Sequence, residues 1–338
     1  MARFIPEAEL ESVLSRLAGP YRLYLPLLKG DQVEFGPWSE GERPVLEGNA
    51  YGAAKQLFFP RSEILFSFST GPDGRPGIDE VGRDPRPLAV FGIRPCDARS
   101  VKLLDNVFLR QDPPDSIYLS HRQGSLLIGL ACDHPGRSCF CGSLGGSPAG
   151  TEGLDLLLTA VDGGFTVDPV SEAGREYASG EGWPEASAAQ VAQARAAHGA
   201  AAAQAAGVDT SGLAEKLERM FDHEFWARLH EKCLGCAACT FFCPTCHCFD
   251  VVDEGKPGSG IRLRNWDSCM FPLFTLHTSG HNPRMSGKER MRQRVMHKFC
   301  YYPLRFGPPA CVGCGRCIEV CPVNLDIRLV LAELGGLA

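Results

Sequence analysis

The chain has 338 residues and a formal net charge of −6, from 34 Lys and Arg against 40 Asp and Glu. That length suits two domains better than one large core, and no apolar stretch approaches the length of a membrane-spanning helix. The start, Met1-Ala-Arg-Phe-Ile-Pro-Glu-Ala-Glu, has no apolar signal region, so the 16 cysteines are expected to be reduced cytoplasmic thiols free to hold metal, not a secreted disulfide framework.

Residues 7–17 carry helical spacing through Leu10, Val13, Leu14 and Leu17, and residues 22–27 read as a short strand. Residues 88–93 and 125–131 are apolar runs bounded by Gly, Pro and charged residues, which suits buried strands. Between them, Val101, Leu104 and Val107 give residues 97–108 a helical period, and 154–161 is a further strand candidate. This alternation predicts an N-terminal α/β domain over residues 1–180. If strands 88–93 and 125–131 are parallel neighbours, Cys96 and Cys132 both sit just past their carboxyl ends, where α/β domains place functional groups. Pro and Gly between Cys132 and Cys139 would let Cys139 and Cys141 fold back to the same place. Cys96, Cys132, Cys139 and Cys141 are therefore a candidate site, with inert buried thiols as the alternative.

Residues 186–207 are mostly alanine, a strong helix former with little side chain to bury, and belong to an exposed helical connector, 181–212. A helix capped by Ser211 is expected next, with Leu213, Leu217, Met220, Phe221, Phe225 and Leu229 on one face. It leads into Cys233, Cys236, Cys239, Cys243 and Pro244, a spacing repeated by Cys311, Cys314, Cys317, Cys321 and Pro322. Cys-x2-Cys-x2-Cys-x3-Cys-Pro in tandem holds two [4Fe–4S] clusters, with the fourth cysteine of each run serving the other cluster. Cluster one is then expected on Cys233, Cys236, Cys239 and Cys321, and cluster two on Cys311, Cys314, Cys317 and Cys243. Zinc, the alternative, takes paired Cys-x2-Cys units rather than tandem triplets with a distant fourth ligand. Beside two such runs, an iron–sulfur site is the favoured reading of Cys96, Cys132, Cys139 and Cys141, ahead of zinc. The fold expected is α+β overall: the α/β domain, the connector, and a helix-rich, two-cluster ferredoxin-like domain over 213–338.

The 67 residues between the runs, 244–310, are too many for a bare loop. They contain Cys246, Cys248 and Cys269, which lack an obvious fourth cysteine, because Cys300 lies among Phe299, Tyr301 and Tyr302 as in a packed apolar segment. A basic stretch, Arg284, Lys288, Arg290, Arg292, Arg294 and Lys298, has only Glu289 against it; it suits a solvated face, a docking surface or compensation for cluster charge, with nucleic acid a weak third option. From Cys233 to the end, 12 Lys and Arg face 8 Asp and Glu, an excess that two clusters of net negative charge would largely cancel. No G-x-G-x-x-G follows a strand and no G-x4-G-K-[ST] occurs, so neither a standard dinucleotide site nor a P-loop is expected.

Cys-Pro-Thr-Cys-His-Cys at 243–248, Trp-Asp-Ser-Cys at 266–269, His-Asn-Pro-Arg at 281–284 and Cys-Val-Gly-Cys-Gly-Arg-Cys at 311–317 resemble the β subunit of cytoplasmic NAD(P)-linked nickel–iron hydrogenases, the sulfhydrogenases. They are similar also to the electron-input subunit of anaerobic sulfite reductase. Gly-Ile-Arg-Pro-Cys-Asp at 92–97 and the segment from Cys132 to Cys141 extend the resemblance over most of residues 55–330. It implies a potential ligand at His297, giving a candidate third site of Cys246, Cys248, Cys269 and His297; thiols that merely line the neighbouring clusters are the alternative. It further implies an iron–sulfur relay subunit, without its own flavin or NAD(P) site, between a flavin subunit handling NAD(P)H and a catalytic subunit. Electron input to a sulfite reductase or a heterodisulfide-reductase-type complex is the alternative within that class. A self-contained enzyme and an iron–sulfur regulatory sensor are the alternatives outside it.

Overall fold

A computed structural model describes residues 2–82, 84–205 and 207–337. The chain opens with strand β1 (Arg3–Pro6), helix α1 (Leu10–Ala18) and the hairpin of β2 (Arg22–Lys29) and β3 (Gln32–Pro37). A second hairpin follows, β4 (Ser62–Thr70) and β5 (Pro76–Glu80), and then β6 (Leu88–Ile93), α2 (Pro95–Phe108), α3 (Ser116–Arg122) and β7 (Leu126–Leu130). Strands β8 (Leu156–Val161) and β9 (Gly164–Pro169) complete a seven-stranded sheet of order β1-β9-β8-β7-β6-β2-β3. Its centre, β2, β6, β7 and β8, is parallel, and its flanks are antiparallel. All six residues of β6 and all five of β7 are buried, because one core covers one face of the sheet through Val13, Leu14 and Leu17, and another covers the opposite face through Ala98, Val101 and Leu104. Continuous apolar runs are what strands covered on both faces require.

Helices α4 (Glu172–Glu181) and α5 (Ala188–Gln204) follow. A capping box between Ser187 and Gln190 starts α5, as the alanine-rich composition favours. It does not hang free: Ala194 and Ala201 are buried, and His198 Nε2 lies 2.8 Å from Thr159 Oγ1 of β8. The amphipathic helix expected after Ser211 is two short ones, α6 (Leu213–Arg219) and α7 (Phe225–His230), and Gly212 in the left-handed region, not Ser211, begins the first. His223 explains the break: its Nδ1 accepts the Phe225 amide at 3.1 Å, a local bond that competes with a continuous helix. Phe221 is consequently exposed, while Trp226 is fully buried and donates its indole N–H to the Met220 carbonyl at 2.7 Å.

After α8 (Ala238–Phe241), the segment between the cysteine runs forms a hairpin of β10 (Phe249–Lys256) and β11 (Ser259–Trp266), then α9 (Gly287–Met296), a π-helical turn over His297–Tyr301, and α10 (Tyr302–Phe306). The hairpin does not stay with the C-terminal half. Strand β11 pairs with β4, giving a four-stranded antiparallel sheet, β10-β11-β4-β5, drawn from both halves. The buried Arg264 ties them, reaching Glu63 Oε2 at 2.8 Å and Asp115 Oδ2 at 2.6 Å. Burial pushes the Glu63 carboxyl up, but hydrogen bonds from His121 and Arg264 outweigh it and hold the group below its ordinary value. Short α11 (Arg316–Glu319) and the terminal α12 (Ile327–Gly336) close the chain, and α12 packs into a core with α6, α7 and α9.

Candidate iron–sulfur centres

Each cysteine run begins as an irregular loop and ends in a short helix. In run one, Gly235 (φ +69°) and Ala237 (φ +64°) are left-handed before α8; in run two, Gly313 (φ +65°) and Gly315 (φ +76°) are left-handed before α11. Alternating the hand of the backbone curls it into a concavity and turns amides inward, as in backbone nests that bind anions. The Gly235 amide donates to Cys233 Sγ at 3.3 Å, and the Leu325 amide to Cys321 Sγ at 3.2 Å.

Cys233, Cys236, Cys239 and Cys321 line one cavity, of about 420 Å³ of empty space, with Cys317, Met270, Met291 and Arg294. Cys243, Cys311, Cys314 and Cys317 line a second, of about 350 Å³, with Phe140, Arg294 and Lys298. The fourth cysteine of each run thus faces the cavity of the other, the crossed arrangement expected from the spacing. Cys96, Cys132, Cys139 and Cys141 line a third cavity, of about 290 Å³, with Asn49, Pro148, Gly313 and Cys314. Strands β6 and β7 are parallel neighbours, and Cys96 and Cys132 follow their carboxyl ends. Arg94 pins the two ends together, donating to the Ala131 carbonyl at 2.9 Å and the Gly48 carbonyl at 2.9 Å. The loop bearing Cys139 and Cys141 is clamped onto run two by the Phe140 amide, which donates to the Gly313 carbonyl at 2.8 Å.

Of the insertion residues, Cys246 donates its amide to the Cys243 carbonyl at 3.4 Å, and the neighbouring Cys269 thiol draws Cys248 down to about 7. His297 stacks edge-on against His247, ring centroids 5.3 Å apart, and burial lowers the two imidazoles to about 3 and about 4, so both are neutral near pH 7. None of Cys246, Cys248, Cys269 and His297 lines the second cavity, and the four share no single contact set. Cys300 is buried in the π turn, in the core formed by α6, α7 and α9.

The charges around the sulfurs were less legible. Lys55, Arg294 and Lys298 are all buried. Lys298 Nζ donates to Cys243 Sγ at 3.1 Å, Thr245 Oγ1 at 3.0 Å and the Ala310 carbonyl at 3.1 Å. Lys55 Nζ donates to the Cys246 carbonyl at 2.8 Å and lies 3.8 Å from the Trp266 ring centre; burial pulls it down to about 8. Burial also opposes charge on Lys298 and Arg294, yet thiolates, Cys243 first for the lysine and Cys239 first for the arginine, outweigh it and hold both above their ordinary values. Among the described residues, no carboxylate forms an ion pair with any of the three. Arg294 and Lys298 belong to the basic stretch 284–298, and their i, i+4 spacing beside the apolar Met291 and Val295 marks the inward face. Lys55 left no signal at all.

This donor set suits an iron–sulfur group. Buried cations without carboxylates need an anionic partner, and the partners within reach are thiolates, whose own burial pushes Cys311 up and Cys317 to about 12 unless metal takes the proton's place.

Residues 232–325 match a 4Fe-4S dicluster domain family. Over 287 residues the chain is 34% identical to the β subunit of sulfhydrogenase 2 of Pyrococcus furiosus, covering 83% of this chain and 82% of that one. The chain belongs to the sulfhydrogenase β-subunit family. No solved structure matches it. Among the described residues, no helix is long and apolar enough to cross a membrane.

Proposed function

We propose that the chain is the iron–sulfur electron-transfer subunit of a sulfhydrogenase-like complex, relaying single electrons between a flavin and NAD(P)H-binding partner and a catalytic partner. In this reading Cys233, Cys236, Cys239 and Cys321 hold one [4Fe–4S] cluster, Cys311, Cys314, Cys317 and Cys243 a second, and Cys96, Cys132, Cys139 and Cys141 a further iron–sulfur group. Bound there, such groups supply reversible one-electron chemistry. The observation that carries the reading is continuity: Cys317 and Arg294 line both the first and second cavities, and Cys314 lines both the second and the N-terminal one. Three thiol-lined cavities that share walls form a line, as a relay needs. The chain's own part is to hold the thiols, exclude water from the second cavity and place cations and amides against sulfur. Cys246, Cys248, Cys269 and His297 fit a shell behind the second cavity better than a separate centre, since none of them lines it while the Cys246 amide donates to the carbonyl of the cluster cysteine Cys243 at 3.4 Å.

Anaerobic iron and sulfide analysis of the full chain is expected to give about twelve of each, against about eight if only the two cysteine runs are loaded. In Cys132→Ser, a fall of about four iron with two remaining reduced-cluster electron paramagnetic resonance signals supports the N-terminal assignment. A wild-type chain with about four iron or fewer would end the two-cluster reading. Anaerobic copurification with a flavoprotein and a nickel–iron protein would identify the partners; recovery with a sirohaem or disulfide-reducing protein would redirect the assignment.

A further inference from the structure

Arg294 and Lys298 lie one helical turn apart, on α9 and the π turn that continues it, but face the sulfur sites differently. Arg294 lines both the first and second cavities, while Lys298 lines the second alone. Lys298 has three hydrogen-bond acceptors, whereas Arg294 Nε is buried with none. Arg294 is 3% exposed, and among the described residues no carboxylate forms an ion pair with it. A guanidinium is a rigid fork of N–H donors that stays charged. Buried between two sets of thiols, it has sulfur on both sides to satisfy it, Cys239 and Cys317 foremost among the opposite charges it feels.

Resting on the cluster assignment above, we propose that Arg294 is a potential-setting cation shared by the two clusters, donating to sulfur on both sides and raising both reduction potentials together, while Lys298 acts on the second cluster alone. Adding an electron makes a cluster more negative, so a nearby buried positive charge favours the reduced state of whichever cluster it faces. Desolvation strengthens the effect, since little water is left to screen it.

The test is a redox titration of the anaerobic full chain followed by electron paramagnetic resonance, with iron analysis alongside. Arg294→Gln is expected to move two cluster signals to lower potential, each by at least a tenfold change in reduction equilibrium, about 59 mV for a one-electron couple. Lys298→Gln is expected to move one of those two. Full iron with one signal or none moved in Arg294→Gln, or both moved in Lys298→Gln, overturns the proposal. If Arg294→Gln loses iron, Arg294→Lys decides. Full iron with both potentials held within about threefold in equilibrium supports the charge role, whereas loss of iron or displaced potentials there makes Arg294 a scaffold residue and overturns it. A wild-type chain without two cluster signals would instead defeat the ligand assignment, a failure distinguishable from this one.

Discussion

In run one, the residue after the first cysteine is Leu234, 71% exposed; in run two it is Val312, 2% exposed. Two residues further on, Cys236 is exposed whereas Cys314 borders the N-terminal thiol cavity. The residue that opens the short helix is Ala238 in run one and Arg316 in run two. Arg316 is buried and forms a two-pronged ion pair with Asp97 of α2, at 2.6 and 2.8 Å, while its Nε and Nη2 donate to the Ala50 carbonyl. The two runs therefore share ligand spacing and backbone hand but not direction: run one looks outward to solvent, and run two is sealed against the N-terminal half. Ligand spacing prescribes a cluster; the residues between the ligands decide what that cluster faces.

The largest way to break this asymmetry is through Arg316. Arg316→Met leaves Asp97 buried and unpaired, a change that typically costs about 3–5 kcal/mol. It is expected to lower the denaturation midpoint sharply and to strip iron from the second and N-terminal sites before the first. Close behind stands a matched pair of glycines. A Cβ on Gly313 would lie 2.6 Å from both the Cys141 amide nitrogen and the Phe140 carbonyl carbon, and backbone cannot move aside as a flexible side chain can. Gly235, its counterpart, has nothing nearer than the Met270 carbonyl oxygen at 3.9 Å. Gly313→Ala adds a backbone clash, about 1–3 kcal/mol, to the left-handed penalty of about 1–2 kcal/mol; Gly235→Ala carries only the second. Denaturant midpoints of the two variants, measured side by side with iron retained, check the difference. Equal losses would show that the two runs are packed alike after all.

A milder probe leaves the sequence alone. Under limited oxidation and chelation the site lined by the exposed Cys236 is expected to lose iron first, and the site holding the buried Cys243 later. Cluster signals that decay together would remove the distinction.

Much of this was legible in the sequence, for physical reasons. Strand β6 was readable to the residue because a strand covered on both faces must be apolar throughout, and the crossed cavities followed from a spacing that serves few other geometries. The partners of long-range contacts were not. Nothing in residues 249–266 says that their hairpin completes a sheet with β4 and β5, since an exposed edge pairs with whatever strand the fold brings to it. Lys55 stands alone in Ala-Ala-Lys-Gln-Leu, and only the tertiary fold carries it to Trp266 and Cys246. The α6–α7 break turned on one imidazole accepting an amide two residues ahead, which hydrophobic periodicity does not register.

The smallest effect separates the runs most finely. Ala237 and Gly315 occupy matching left-handed positions, yet only one of them carries a methyl group. A Cβ on Gly315 would lie 2.6 Å from the Ser138 carbonyl oxygen, in the loop that brings Cys139 and Cys141 to run two, so that position has no room. At 237 the methyl group is buried, and its residue is 1% exposed. Ala237→Gly relieves left-handed strain worth about 1–2 kcal/mol. It also gives up about 0.8 kcal/mol of methyl burial and adds about 0.4–1 kcal/mol of unfolded-chain entropy. The terms nearly cancel, so stability is expected to change by less than about 1 kcal/mol, with both cluster signals retained. Thermal denaturation of this variant beside Gly315→Ala therefore asks whether left-handed backbone alone, or the press of the N-terminal thiol loop, reserves position 315 for glycine. A large loss in Ala237→Gly would mean that run one, too, depends on a close contact at that turn.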